Sequence, residues 1–145
     1  REPTALEIAY QIQVNPGDKR ISAFISGAGT GGTIMGVRQH FKSQRRKTKF
    51  VLVVPDEDSD KHGIQGIGDG GDYLVDRKEI NQVVRIKTKD AIERAKRLAR
   101  ENGLLVGISS GANILAAEKW LQNNEARGVV VTFLCDRGER YLSCI

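Results

Sequence analysis

The chain has 145 residues, 39% of them apolar and 28% charged, which suits one folded domain and leaves no run near the ~18 apolar residues of a membrane-spanning helix. Its net charge is +5, but Arg45-Arg46-Lys47 is the only dense basic run and no aromatic residue interleaves with a basic stripe, so neither nucleic acid nor a membrane is an expected partner. Two irregularly placed cysteines, Cys135 and Cys144, fit a reducing, cytoplasmic compartment rather than a disulfide framework, and the start at Arg-Glu-Pro-Thr, without Met, suggests a fragment or a processed chain.

Residues 4–12 read as a short helix, because Ala5, Ile8, Ala9 and Ile12 recur at i, i+3, i+4 and i+7. Residues 15–18 (NPGD) are a turn, and 21–26 (ISAFIS) an apolar strand ending at Gly27-Ala28-Gly29-Thr30-Gly31-Gly32-Thr33. Residues 33–43 are then helical, with Ile34, Val37 and Phe41 on one stripe, and the basic run closes that helix where cations suit the negative dipole end. A second buried strand follows at 50–54, an acidic loop at 55–60 and a second glycine cluster at 63–71 (GIQGIGDGG). Residues 83–87 form a strand, and Thr88 caps a helix that stops at Gly103. A short extended run at 104–107 precedes a helix at 109–123, and 128–135 (GVVVTFLC) reads as a strand buried on both faces. This alternation predicts a single α/β domain over 1–145, with a mostly parallel twisted sheet and helices on both faces.

The first glycine loop lies where a strand becomes a helix, so its free backbone N–H groups and the helix dipole converge on an anion, most often phosphate. Thr30 and Thr33 add hydroxyl donors. Four glycines in the six positions 27–32 exceed what a tight turn needs. Gly27, Gly29 and Gly32 also satisfy the dinucleotide pattern G-x-G-x-x-G, with Asp56 or Glu57 as the later acid, so an NAD-binding Rossmann module of an oxidoreductase is the alternative. At residues 106–113 (VGISSGAN), Ser109 and Ser110 stand at a helix start. They serve either as N-caps or as hydroxyls aimed at a ligand. Residues 65–71 (QGIGDGG) read either as a flexible loop or as backbone lying flat against a planar ligand. No metal is expected.

Four strings in register, 24–37 (FISGAGTGGTIMGV), 64–68 (IQGIG), 103–113 (GLLVGISSGAN) and 135–143 (CDRGERYLS), resemble the C-terminal half of the cysteine synthase family. The last string is most similar to the cysteine synthase B branch. The family comprises fold-type II enzymes that use pyridoxal 5′-phosphate (PLP), and the resemblance implies the large-lobe portion of a two-lobed, homodimeric transferase. It implies β-replacement on an activated serine, such as O-acetylserine, with sulfide to give cysteine. Gly29, Thr30, Gly31, Gly32 and Thr33 match the loop on the cofactor phosphate. Ser109 matches the serine at the pyridine nitrogen, a neutral partner that suits β-elimination and replacement over transamination. Gly66, Ile67 and Gly68 match the loop flanking the amino-acid substrate, and Asp136 is assigned a place behind the site. The Schiff-base lysine of the family lies in a Ser-x-Lys-x-Arg-like motif that this chain does not contain; Lys61 reads as an exposed loop residue instead. The chain alone is therefore expected to be inactive, its partners being the missing N-terminal lobe and, as for the family, the tail of a serine acetyltransferase. A lysine-free, non-catalytic relative acting as a binding or assembly module is the further alternative. Two departures bear on substrate choice: the stretch between Val54 and Gln65 is shorter than usual, and Asp69-Gly70-Gly71-Asp72 replaces Ala-Gly-Phe.

Overall fold

A computed structural model describes residues 2–58, 61–68 and 74–141. Asp60, the departure at 69–72, Cys144 and the last two residues of the 135–143 string lie outside them. The elements in chain order are α1 (Glu2–Val14), β1 (Ile21–Gly27), α2 (Gly32–Ser43), β2 (Lys49–Pro55), β3 (Gln82–Ile86), α3 (Thr88–Asn102), α4 (Ile108–Asn123) and β4 (Val129–Thr132). All neighbouring strands are parallel, in the order β3-β2-β1-β4.

Period-two alternation along β1 and β2 sorts their side chains to two faces. Ala23, Ile25, Val51 and Val53 pack with Ala91, Ile108, Ala112, Ala116 and Trp120 of α3 and α4. Phe24, Phe50 and Leu52 pack with Ala5, Ile8, Ile34, Val37 and Phe41 of α1 and α2. Helices therefore cover both faces, as the alternating pattern requires. The two central strands are buried on both sides, which is why they read as unbroken apolar runs.

Three sequence expectations need correction. The run 128–135 is a strand only over Val129–Thr132, and each of those residues is half-buried. Among the described strands β4 is an edge, paired to β1 alone, so apolar content overstated its burial. Residues 104–107 form no strand: a single antiparallel bridge joins Val106 to Arg137, and Leu104 and Leu105 are exposed. Gly103, in the left-handed conformation (φ 67°), ends α3 and turns the chain directly toward α4. Thr88 is not the cap of α3; Lys87 holds that position, the Thr88 N–H donates to Glu57 Oε1 (2.7 Å), and the Thr88 hydroxyl accepts from the Gly63 N–H (3.0 Å).

Candidate cofactor site

Parallel strands deliver their C-terminal ends to one edge of the sheet, and the sequence-predicted loops meet there. β1 ends at Gly27, and α2 begins after a turn through Gly31, which caps it in the left-handed region (φ 85°). The first amides of a helix have no intrahelical acceptor, and Gly31 offers them no side chain. The Gly32 N–H reaches the Thr30 hydroxyl only at 3.5 Å. Thr30 and Thr33 are exposed at the mouth of this turn. Amide donors, a helix dipole and the hydroxyls of two exposed threonines make a neutral cradle whose chemistry fits a phosphate monoester.

The glycines are fixed by close packing. A Cβ at Gly27 would fall 2.2 Å from Ile67 Cδ1, one at Gly31 would fall 2.4 Å from Val75 Cγ2, and one at Gly29 would lie 3.0 Å from the Gly66 carbonyl oxygen. The Gly68 N–H donates to the Ala28 carbonyl (3.0 Å). The loop around Gly66, Ile67 and Gly68 thus lies directly against the first glycine loop, and Ile67 is buried there. Gly66 and Gly68 adopt positive φ (82° and 73°), so the resembling string holds a defined path and is not a random linker. Beside it a cavity of about 540 Å³ is lined by Gln65, Gly66, Asp136, Arg140 and Tyr141. Asp136 therefore borders the cavity, held by the Tyr141 hydroxyl (2.8 Å) and facing Arg140 at 3.9 Å. Burial, reinforced by Asp136, pushes the Tyr141 phenol up.

The start of α4 is built differently. Gly107 is its N-cap, so neither Ser109 nor Ser110 caps it; both lie inside the helix and are buried. The Ser110 hydroxyl accepts from the Cys135 N–H (2.9 Å), the Asn113 amide donates to the Cys135 thiol (3.8 Å), and the Ser109 hydroxyl lies near enough to that thiol to favour its thiolate. Fully buried Asn113 accepts from the Gly27 N–H (2.8 Å) and donates to the Phe133 carbonyl (3.1 Å). Asn113 thereby ties the end of β1 to the segment after β4. Sequence reading placed it in a motif without giving it a role; an amide immediately after Ser-Ser-Gly-Ala at a helix start was the available signal. Cys135 is an exposed residue, but partial desolvation of its thiol raises the thiol and the Asp136 carboxylate raises it further, against hydrogen bonding to Ser109 and Asn113. Lys61 is exposed and pairs with Asp58, as expected of a loop residue.

A parallel sheet with a glycine-rich turn ahead of α2, a second glycine loop packed on it and a cavity beside that loop defines the class: the chain belongs to the pyridoxal-phosphate dependent enzyme family, whose model matches residues 1–136. Its similar relatives are cysteine synthases. Cysteine synthase B of Campylobacter jejuni is 39% identical over 151 residues, covering 99% of this chain and 48% of the relative. Cysteine synthase A of Salmonella typhi is 42% identical over 146 residues, covering 87% and 44%. Among solved structures, O-acetyl serine sulfhydrylase isoform 3 of Entamoeba histolytica superposes with a TM-score of 0.84 at 34% identity, over 97% of this chain and 43% of that one. An O-ureido-L-serine synthase gives 0.84 at 31%, over 97% and 46%. The chain spans about half the length of the curated relatives it matches. Of the two later acids in the dinucleotide reading, Glu57 is engaged with Thr88 and Asp56 is exposed, and the family match displaces that reading. Among the described residues, no helix is long and apolar enough to cross a membrane.

Proposed function

We propose that this chain supplies the phosphate grip and one substrate wall of a PLP-dependent β-replacement enzyme, in which an activated serine and sulfide give cysteine. One observation carries the reading: the uncapped start of α2 and the Gly66–Gly68 backbone are joined through the Gly68–Ala28 hydrogen bond beside the Asp136 cavity. When bound, the cofactor provides an electron sink for the substrate α-carbon. The residues here do the positioning. Amides of Gly29 to Thr33, with the Thr30 and Thr33 hydroxyls, would hold the phosphate; Gly66, Ile67 and Gly68 would flank the amino acid; Asp136 would form the far wall. Ser109 is assigned to the pyridine nitrogen, with its hydroxyl shared between that nitrogen and the Cys135 thiol. The burial of Ser109 and its absence from the cavity lining favour a second reading of this one position, in which cavity-facing Asp136 takes the nitrogen and leaves Ser109 as scaffold. An aspartate partner would keep the nitrogen protonated and strengthen the sink.

The lysine, the other lobe, the homodimer contact and any acetyltransferase tail belong to the whole cytoplasmic assembly in this reading. The test is reconstitution. The chain combined with a segment carrying the Ser-x-Lys-x-Arg motif is expected to develop the visible absorption of lysine-linked PLP and sulfide-dependent cysteine formation, neither of which the chain shows alone. A stable complex without that absorption would leave a lysine-free binding module as the better account. Comparing Ser109→Ala with Asp136→Asn in the reconstituted complex assigns the nitrogen: the variant that moves the absorption maximum carries the partner.

A further inference from the structure

The opposite edge of the sheet carries the basic run that the cofactor site does not use. We infer that it is a second anion site, shaped for a small molecule bearing two or more clustered phosphate groups. Because the strands are parallel and adjacent, the chain enters β1, β2 and β4 at one edge, and cations precede each entry: Lys19 and Arg20, Arg46 and Lys47, and Arg127. These five line a cavity of about 290 Å³. It shares Ser22, Lys47 and Arg127 with an adjoining cavity of about 460 Å³, which Lys49 and Trp120 also line. Together they fall in the size range of small-molecule sites, roughly 300–1,000 Å³.

The arrangement is pinned by backbone. The Val129 N–H donates to the Arg20 carbonyl (2.8 Å), the Ser22 hydroxyl to the Arg127 carbonyl, and the Thr48 hydroxyl to the Ile21 carbonyl (2.9 Å). Gly128, at φ 117°, allows this approach, since a Cβ there would fall 2.6 Å from the Arg20 carbonyl oxygen. Arg45 takes positive φ (55°) after α2, the Arg46 N–H returns to the Phe41 carbonyl (3.0 Å), and the Arg46 guanidinium lies over the Phe41 ring. That turn sets Lys47 at the edge.

The charges are not balanced from within. Asp18 pairs with Arg20 (2.6 Å), Lys19 donates to the Gln13 and Asn15 carbonyls, and Glu125 lines the adjoining cavity. Lys47, Lys49 and Arg127 have no acidic partner within ion-pair distance among the described residues. The Lys19 ammonium is accounted for by the Gln13 carbonyl in the last turn of α1; Lys47, Lys49 and Arg127 stand past the last turns of their helices. Like charges held together repel unless an anion joins them. Trp120 is 6% exposed, so it offers no face for base stacking, which favours a compact phosphate cluster over a nucleic-acid strand.

Trp120 is also the only tryptophan, so its fluorescence reports the site directly. Sodium tripolyphosphate titrated into the purified protein at low salt is expected to give a saturable change, unaltered by added PLP. Lys47→Glu with Arg127→Glu is expected to weaken it by about tenfold or more, while Lys89→Glu with Arg100→Glu, the same charge change on exposed positions of α3, stays within about twofold. Should the first pair fail to fold, Lys47→Gln with Arg127→Gln reads the same contrast. Equal weakening by both pairs, no saturable signal, displacement by PLP, or tighter binding of an oligonucleotide than of tripolyphosphate would overturn the inference.

Discussion

Two helix starts face the same edge of the sheet, and they have opposite characters. At α2 the cap is a glycine with no side chain, the neighbouring threonines are exposed and no side-chain cap bonds the first turn. At α4 the cap is again a glycine, yet Ser109, Ser110 and Asn113 are buried and hold Cys135, Phe133 and Gly27. Both carry the same dipole. What separates them is whether polar groups already have protein partners. The first start is open to a ligand, and the second is the joint that holds β1 and the segment after β4 in place behind it.

The largest expected effect breaks the joint. Asn113→Ala leaves the Gly27 N–H and the Phe133 carbonyl without a partner in a buried setting, at a cost of about 2–4 kcal/mol in urea unfolding. A cost near zero would mean that α4 does not fix the glycine loop. Gly31→Ala attacks the open start instead. The left-handed conformation and the 2.4 Å approach to Val75 predict a loss of roughly 1–3 kcal/mol, together with loss of phosphate binding.

A smaller effect sharpens the role of Ser109. Alkylation of Cys135, an exposed residue, is expected to rise only above the ordinary thiol value of about 8.5, because partial desolvation and then Asp136 hold the thiol protonated. Asp136→Asn removes a negative neighbour and should shift the rate profile to lower pH. Ser109→Ala removes a hydrogen bond that favours the thiolate and should shift it to higher pH. Shifts in the same direction would show that the Ser109–Cys135 bond does not form.

The central strands, the two-faced helix cover and the glycine turn ahead of α2 were legible because each follows from a local pattern: unbroken apolar runs at β1 and β2, a 3.6-residue stripe at Ile34, Val37 and Phe41, and glycines at a strand-to-helix turn. What escaped were facts set by distant partners. Nothing local marks β4 as an edge, and its valines look as apolar as those of β2. The Thr88 cap looked sound until Glu57, 31 positions away, took its N–H. Asn113 reads as an ordinary helix residue until Gly27, 86 positions away, is placed against it. The glycines of the first loop were assigned to ligand approach, whereas Gly27 and Gly31 are required first by Ile67 and Val75.

The contrast between the two helix starts is tested most directly by thermal protection of the purified protein with PLP and with pyridoxal, which lacks the phosphate. The open start of α2 predicts that PLP raises the melting temperature, that pyridoxal does not, and that Thr33→Val cuts the PLP effect while moving the unliganded melting point little, as for an exposed side chain. Equal protection by pyridoxal, or full protection in Thr33→Val together with Gly31→Ala, would contradict it.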